Sequence, residues 1–298
     1  MDELQGVFVA MATPFRADGR LAPEMVGEHL RYLEAGGLDG VLVSGTNGEG
    51  PAMSLGERLQ LLSAVLAARG QLQVLMCSGC ANLPDTIRLS REALALGADG
   101  LLIQPPFYFR APAAAGVTEY YRRLLAALRP GARVLLYHIP SVTSVPIAHE
   151  TLRALRAEFP EVCYGLKDTG GDVAATAEYV RQHPGLRVFN GADGLVAAGR
   201  AAGCVGAISA SGNVWPEAAV AVWRARTAEE RAAAQARLDA LRGVAEGLPP
   251  YAVTKALLVE VAGLAPRAVR PPLADLTDGE RAQLRARLAR LETRPVRS

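Results

Sequence analysis

Hydrophobic positions along the chain fall into two alternating patterns. Short apolar runs rich in β-branched residues predict eight strands, at Val7 to Met11, Val41 to Val43, Val74 to Met76, Leu101 to Ile103, Val134 to Tyr137, Val162 to Lys167, Val188 to Phe189 and Val205 to Ile208. Between them, apolar residues recur at helical spacing. Ser54 and Glu57 form a capping box ahead of Leu55, Leu59, Leu62 and Leu66 on one face. Further helices are expected to begin near Pro23, Pro84, Val117, Ile147 and Asp172. The strands show little apolar/polar alternation, as expected where both faces of a parallel sheet are covered. Eight strands alternating with helices predict an α/β fold, a (β/α)8 TIM barrel. The sets Gly37-Leu-Asp-Gly40, Gly97-Ala-Asp-Gly100 and Gly203-Cys-Val-Gly206 repeat at the passage from helix to strand, where the first glycine suits a left-handed helix cap. Beyond about residue 215 the pattern is purely helical, with capping boxes at Thr227/Glu230 and Thr277/Glu280. The expected division is a barrel over 1–215 and a C-terminal helical appendage of about three helices over 216–298, punctuated by Gly247-Leu-Pro-Pro250 and Pro271-Pro272.

Composition narrows the partners. A chain of 298 residues, half of them hydrophobic and 21% charged, can bury a substantial core. Its formal net charge is +2 and no basic stretch is interleaved with aromatics, so nucleic acid is not an expected partner. The chain begins acidic, and the apolar run from Val7 to Ala12 is too short for a signal core or a membrane span. The expectation is a cytoplasmic protein acting on small molecules, without a membrane. Cys77 and Cys80 form a lone C-x-x-C without the second pair of a zinc ribbon, so reduced thiols and no metal are expected. Basic residues are almost all arginine; Lys167 and Lys255 are the only lysines. Lysine, unlike arginine, can become a neutral amine when desolvated.

In a barrel, functional groups sit at the C-terminal ends of the strands. The second strand runs into Ser44-Gly-Thr-Asn-Gly-Glu-Gly50, whose backbone N–H groups could cradle a carboxylate or phosphate. The fourth leads into an aromatic loop containing Tyr108, the fifth ends at Tyr137-His-Ile-Pro140, and the sixth at Gly165-Leu-Lys-Asp-Thr-Gly-Gly171. Alternation places Lys167 inward together with Cys163 and Gly165, where little would hydrate an ammonium ion. Burial disfavours the charged amine, and a neutral amine can attack a carbonyl to form a Schiff base. A lysine paired with Asp168 is the competing reading, and for the lysine taken alone it is favoured by about two to one. Tyr137 points into the same barrel mouth, either as a proton relay or as a core tyrosine with a satisfied hydroxyl. Lys255 reads as a packing or surface residue of the tail. The four histidines lie far apart in the plan of elements and suggest no metal site, and no G-x-S-x-G elbow is present.

Together, Gly45-Thr-Asn-Gly-Glu49, the Tyr108 loop, Tyr137-His-Ile-Pro140 and Gly165-Leu-Lys-Asp168 resemble the dihydrodipicolinate synthase / N-acetylneuraminate lyase family of pyruvate-dependent Schiff-base enzymes, in order and spacing over nearly the whole chain. The resemblance implies that Lys167 forms the imine with pyruvate or another 2-keto acid, and that the N–H groups of Thr46 and Asn47 hold its carboxylate. It implies that Tyr137 is the general acid/base, linked through the Thr46 hydroxyl to a Tyr108 supplied by a neighbouring subunit. Gly48, Thr169, Gly191 and Ile208 would complete the substrate site. It further implies a homo-oligomer, a dimer or tetramer, that uses a 2-keto acid and an aldehyde and needs no cofactor. Val142 stands where lysine-pathway members carry an arginine for the aldehyde's carboxylate, and a valine cannot make that bidentate pair. Asp193-Gly194 keeps one of the two acids found in sialic acid lyases. The chain is most similar to 4-hydroxy-2-oxoglutarate and 2-keto-3-deoxy-sugar-acid aldolases, which implies a lyase acting on a 4-hydroxy-2-keto acid. Dihydrodipicolinate synthase activity, a non-catalytic keto-acid-binding barrel, and a phosphate site near Gly191, Gly194 and Gly212 are the alternatives.

Overall fold

In the computed structural model, which describes residues 3–292, eight parallel strands close a barrel in chain order. They are β1 (Gly6–Ala10), β2 (Gly40–Val43), β3 (Gln73–Cys77), β4 (Gly100–Ile103), β5 (Val134–His138), β6 (Cys163–Asp168), β7 (Arg187–Asn190) and β8 (Gly206–Ser209). The ring of helices comprises α1 (Val26–Ala35), α2 (Leu55–Ala68), α3 (Leu83–Leu96), α4 (Ala114–Ala126), the single turn α5 (Pro140–Thr143), α6 (His149–Glu158), α7 (Val173–Gln182), α8 (Val196–Ala201) and α9 (Pro216–Arg224). Three more follow: α10 (Ala228–Arg242), α11 (Pro250–Glu260) and α12 (Asp278–Glu292). Among the described residues, no helix is long and apolar enough to cross a membrane.

Two apolar layers follow from strand alternation. Outward residues such as Val41, Val74, Leu101 and Leu136 meet the helices, while Phe8, Leu42, Leu75, Leu102, Leu135, Phe189 and Ile208 fill the interior. Phe8 and Phe189 meet edge to face at 5.8 Å. They fit because Gly40 and Gly206 face them: a Cβ on either would lie 2.3 Å from Phe8 or 2.5 Å from Phe189. The barrel floor is therefore solid. Gly37, Gly97 and Gly203 all adopt positive φ, the left-handed conformation expected of the repeated helix-to-strand glycines.

One expectation fails inside the barrel. Val134 pairs with Cys163 but Leu135 pairs with Gly165, so β6 carries an irregularity that skips one residue. The extra residue reverses the facing of everything before it. Cys163 accordingly packs in the strand–helix layer, while Tyr164 packs against the interior cluster.

At the C-terminal end, α9 sets Ala219 and Val220 into the strand–helix layer, completing the ring of helices from beyond the expected boundary at residue 215. Helices α10 to α12 follow, and Val253, Leu257, Leu258 and Leu284 share an apolar cluster with Ala12 and Val214 of the barrel. Residues 1, 2 and 293–298 of the expected spans lie outside the described residues.

Candidate active site

Lys167 and Tyr137 are register partners on β6 and β5, and both side chains turn into the barrel, 3% exposed each. The Lys167 amine donates to the Tyr137 hydroxyl at 3.2 Å and lies 4.4 Å from the ring centroid. On the other side of that hydroxyl, the Thr46 hydroxyl lies at 3.4 Å, longer than a settled O–H···O bond. Lengths of this kind tighten when a reacting group enters.

Asp168 is not the lysine's partner. Its carboxylate faces the helix layer, where Oδ2 accepts from Thr176 Oγ1 at 2.6 Å and Oδ1 from the Gly170 N–H at 2.8 Å. Among the described residues, the amine is thus left with the Tyr137 hydroxyl and no paired carboxylate.

Thr169 and Gly191 stand beside it. A Cβ on Gly191 would fall 2.8 Å from Lys167 Cε and 2.0 Å from Thr169 Oγ1, so only glycine leaves the lysine stem its room. Thr169 Oγ1 is buried without a hydrogen-bond partner among the described residues. A buried orphan hydroxyl is costly, and a polar group of a ligand would satisfy it. Ile208 belongs to the same interior apolar cluster as Tyr137.

The Gly45–Gly50 turn follows β2. It is closed by Gly50 N–H to Gly45 O and Glu49 N–H to Thr46 O, both at 3.1 Å, and Gly48 O accepts from the buried Thr13 hydroxyl at 2.5 Å. Gly50 is obligatory, since a Cβ there would lie 2.0 Å from Ser44 O. The N–H groups of Thr46 and Asn47 have no acceptor among the described residues. Such a pair of free amides at the barrel mouth suits an anionic oxygen. Asn47 also lines a cavity of about 460 Å³ between the β2, β7 and β8 loops and helices α10 and α11, together with Asp193, Ser211, Trp215, Arg242 and Thr254.

Within one chain, Tyr108 is not brought to Thr46. It is 76% exposed, set edge to face on Phe109, itself 69% exposed, at 5.4 Å. Val142, in α5, is 57% exposed.

Of the packing and surface readings of Lys255, the buried one holds: it is fully buried, with an ion pair to Glu49 that the reading did not include. Burial pushes its pKa down, with Glu49 opposing. Its rarity as one of two lysines was the signal that could have flagged it. Glu49 is silent in the sequence, because a carboxylate in a glycine-rich turn gives no sign of a distant partner. The histidines are also closer than the element plan suggested. His149 Nδ1 lies 3.0 Å from His183 Nε2, and both His138 and His149 rings pack against Tyr179. Parallel crossovers bring α6 and α7 side by side, which sequence distance conceals. This cluster lies on the helix side of β5, away from Lys167; among the described residues no group of three or more metal-ligating side chains is assembled.

Comparison with known proteins gives this arrangement a context. The profile of the dihydrodipicolinate synthetase family matches residues 3–291. An uncharacterized DapA-like lyase of Chloroflexus aurantiacus is 43% identical over 293 residues, 98% of each chain. A 4-hydroxy-tetrahydrodipicolinate synthase of Sorangium cellulosum is 35% identical over 98% of this chain and 97% of its own. Among solved structures, YagE, a prophage protein of the dihydrodipicolinic acid synthase family from E. coli K12 in complex with pyruvate, superposes with a TM-score of 0.90 at 26% identity, covering 97% of this chain and 98% of its own.

Proposed function

The chain belongs to the dihydrodipicolinate synthetase family, whose members are carbon–carbon lyases, and we propose that it cleaves a 4-hydroxy-2-keto acid into pyruvate and an aldehyde, and runs the same reaction in reverse. The observation that carries this reading is the Lys167 amine: buried, unpaired with any carboxylate among the described residues, and 3.2 Å from the Tyr137 hydroxyl.

The chemistry follows from the neighbours. The amine lone pair attacks the C2 carbonyl of the keto acid, the carbonyl oxygen takes up a proton from Tyr137, and loss of water leaves a protonated imine. The keto acid's carboxylate rests on the free N–H groups of Thr46 and Asn47, next to the small Gly48. The C4 hydroxyl gives its proton to Tyr137 as the C3–C4 bond breaks, and the bonding pair flows into the imine nitrogen. The aldehyde leaves; protonation of the enamine at C3 and hydrolysis of the imine release pyruvate and regenerate Lys167. Thr169 and Gly191 shape the space beside the imine, and Ile208 forms its apolar floor. No metal or organic cofactor is required, because the lysine imine is itself the electron sink.

The 4-hydroxy-2-keto acid reading is preferred over dihydrodipicolinate synthase activity because Val142 offers no guanidinium to a distal carboxylate. We assign Tyr108 to the site of a neighbouring copy, as its exposed position within one chain allows, so that the working unit is at least a dimer.

Sodium borohydride added with pyruvate should reduce the imine and fix the three-carbon acid to the peptide containing Lys167. An unchanged mass for that peptide would refute the Schiff-base step. Release of pyruvate from a panel of hydroxy-keto acids, absent in Lys167→Ala, separates the lyase from a non-catalytic keto-acid-binding barrel.

A further inference from the structure

The chain's second lysine is as buried as the first. Lys255, 1% exposed on α11, forms an ion pair with Glu49, whose side chain is completely buried. The ammonium also donates to Ala268 O at 2.5 Å and lies 4.6 Å above the Phe15 ring. The second carboxylate oxygen of Glu49 accepts from the Arg270 N–H at 2.9 Å. Arg270 is itself anchored: its guanidinium lies over the same Phe15 ring, 4.3 Å from the centroid, and binds Glu57, Gly19 O and Ala52 O. Glu49 is therefore gripped from the tail on both oxygens.

Net stability does not account for such a pair. Removing two charges from water costs several kcal/mol, and an apolar pair of similar volume packs as well or better. What the pair does supply is direction. Glu49 sits at φ 53°, left-handed and unusual for a residue with a side chain, and its N–H holds Thr46 O at 3.1 Å. Thr46 carries both the free amide and the hydroxyl that approaches Tyr137, 3.4 Å away, and Tyr137 touches Lys167. The two lysines are thus the ends of one connected series: Lys255, Glu49, Thr46, Tyr137, Lys167.

We propose that Lys255, through its buried ion pair with Glu49, is a positioning residue that fixes the Gly45–Gly50 turn in the geometry that receives the keto acid's carboxylate. The inference rests on the lyase reading above, since it assumes that the turn's amides meet that carboxylate. Its consequence is a specific split in kinetics. The carboxylate is held alike in the bound keto acid and in the transition state, so loosening its cradle raises the keto-acid requirement more than it slows the bound complex. The aldehyde, held elsewhere, is little affected.

The test uses the full-length protein, with pyruvate as the trapped keto acid and carbon–carbon bond formation between pyruvate and an accepted aldehyde as the assay. In Lys255→Met, the pyruvate concentration that half-saturates borohydride trapping at Lys167 should rise about tenfold or more, in keeping with the sensitivity of catalysis to sub-ångström misplacement. Half-saturation by the aldehyde should stay within about twofold. Because that variant leaves Glu49 buried and unpaired, the double variant Glu49→Gln/Lys255→Met is measured beside it; it removes both charges and keeps an acceptor for the Arg270 N–H. The double variant should regain thermal stability but not pyruvate affinity. Parental pyruvate half-saturation in the folded double variant, or equal rises for pyruvate and aldehyde, would overturn the positioning role and leave the lyase reading standing. A parent protein that traps no pyruvate would remove that reading, and this inference with it.

Discussion

A strand turns successive side chains to opposite faces, so Lys167 and Asp168 share a peptide bond and no environment. Asp168 is consumed by Thr176 and Gly170 on the helix side, which leaves the amine to Tyr137 within the barrel. Roles at this scale are tested one atom at a time. Tyr137→Phe removes the hydroxyl and keeps the ring, and turnover should fall about 10²-fold or more, as for loss of a general acid/base, with slower imine trapping; parental turnover in steady-state assay would take Tyr137 out of the mechanism. Gly191→Ala adds a methyl where Lys167 Cε and Thr169 Oγ1 already stand. Borohydride trapping of pyruvate should be largely lost while circular dichroism stays parental, and undiminished trapping would show that the lysine does not need that space. The identities of Lys167 and Tyr137 were legible in sequence because strand ends carry barrel chemistry. Glu49 and Lys255 were not, since a pair 206 positions apart is made only by the fold.

Helices hold this mouth in place through their ends. At the start of α2, Ser54 and Glu57 make the reciprocal capping box expected from sequence, and Glu57 is also bound by Arg270 at 2.6 Å. Arg270, aided by Ser54, holds the Glu57 carboxyl down to about 2. Ser54→Ala should cost about 1 kcal/mol in denaturant unfolding, the usual penalty for a lost N-cap, and a loss near zero would mean that Arg270 alone orders this end. Helix α1 buries His29, whose pKa is pushed down to about 3 by burial first and then by Arg267. Between α6 and α7, His183 is held at about 4, by burial first and then by His149. An unfolded imidazole takes up its proton near pH 6.5, so below that pH the unfolded chain binds protons that these folded sites refuse. Their contribution to stability is complete above pH 6.5 and is lost as pH falls toward 4 and 3. Melting temperature should therefore decline between pH 6.5 and 4.5, above the range where Glu57 begins to protonate, and His29→Gln should flatten the decline; an unaltered slope would assign it to other groups.

At the scale of the molecule, the exposed Tyr108 and the buried lysine make a prediction about partnership. If each site takes Tyr108 from a neighbour, then mixing inactive Lys167→Ala subunits with impaired Tyr108→Phe subunits, followed by exchange, should restore activity, since some sites would combine an intact lysine with an intact tyrosine. No recovery in exchanged hetero-oligomers, verified by mass, would place both residues within one subunit. The strand count, the parallel order and the capping boxes were written in the chain, because side-chain periodicity and cap chemistry act over three or four residues. The strand-end motifs were legible for the same local reason. Closure of the barrel decided the rest. It turned Cys163 outward through an irregularity in β6, gathered His138 and His149 onto Tyr179 with His183 against His149, seated α9 as the last helix of the ring, and brought α11 back over the second strand's turn to bury Lys255 against Glu49. Each of these is a contact between distant segments, and its energy exists only once burial has removed the water that would otherwise separate them.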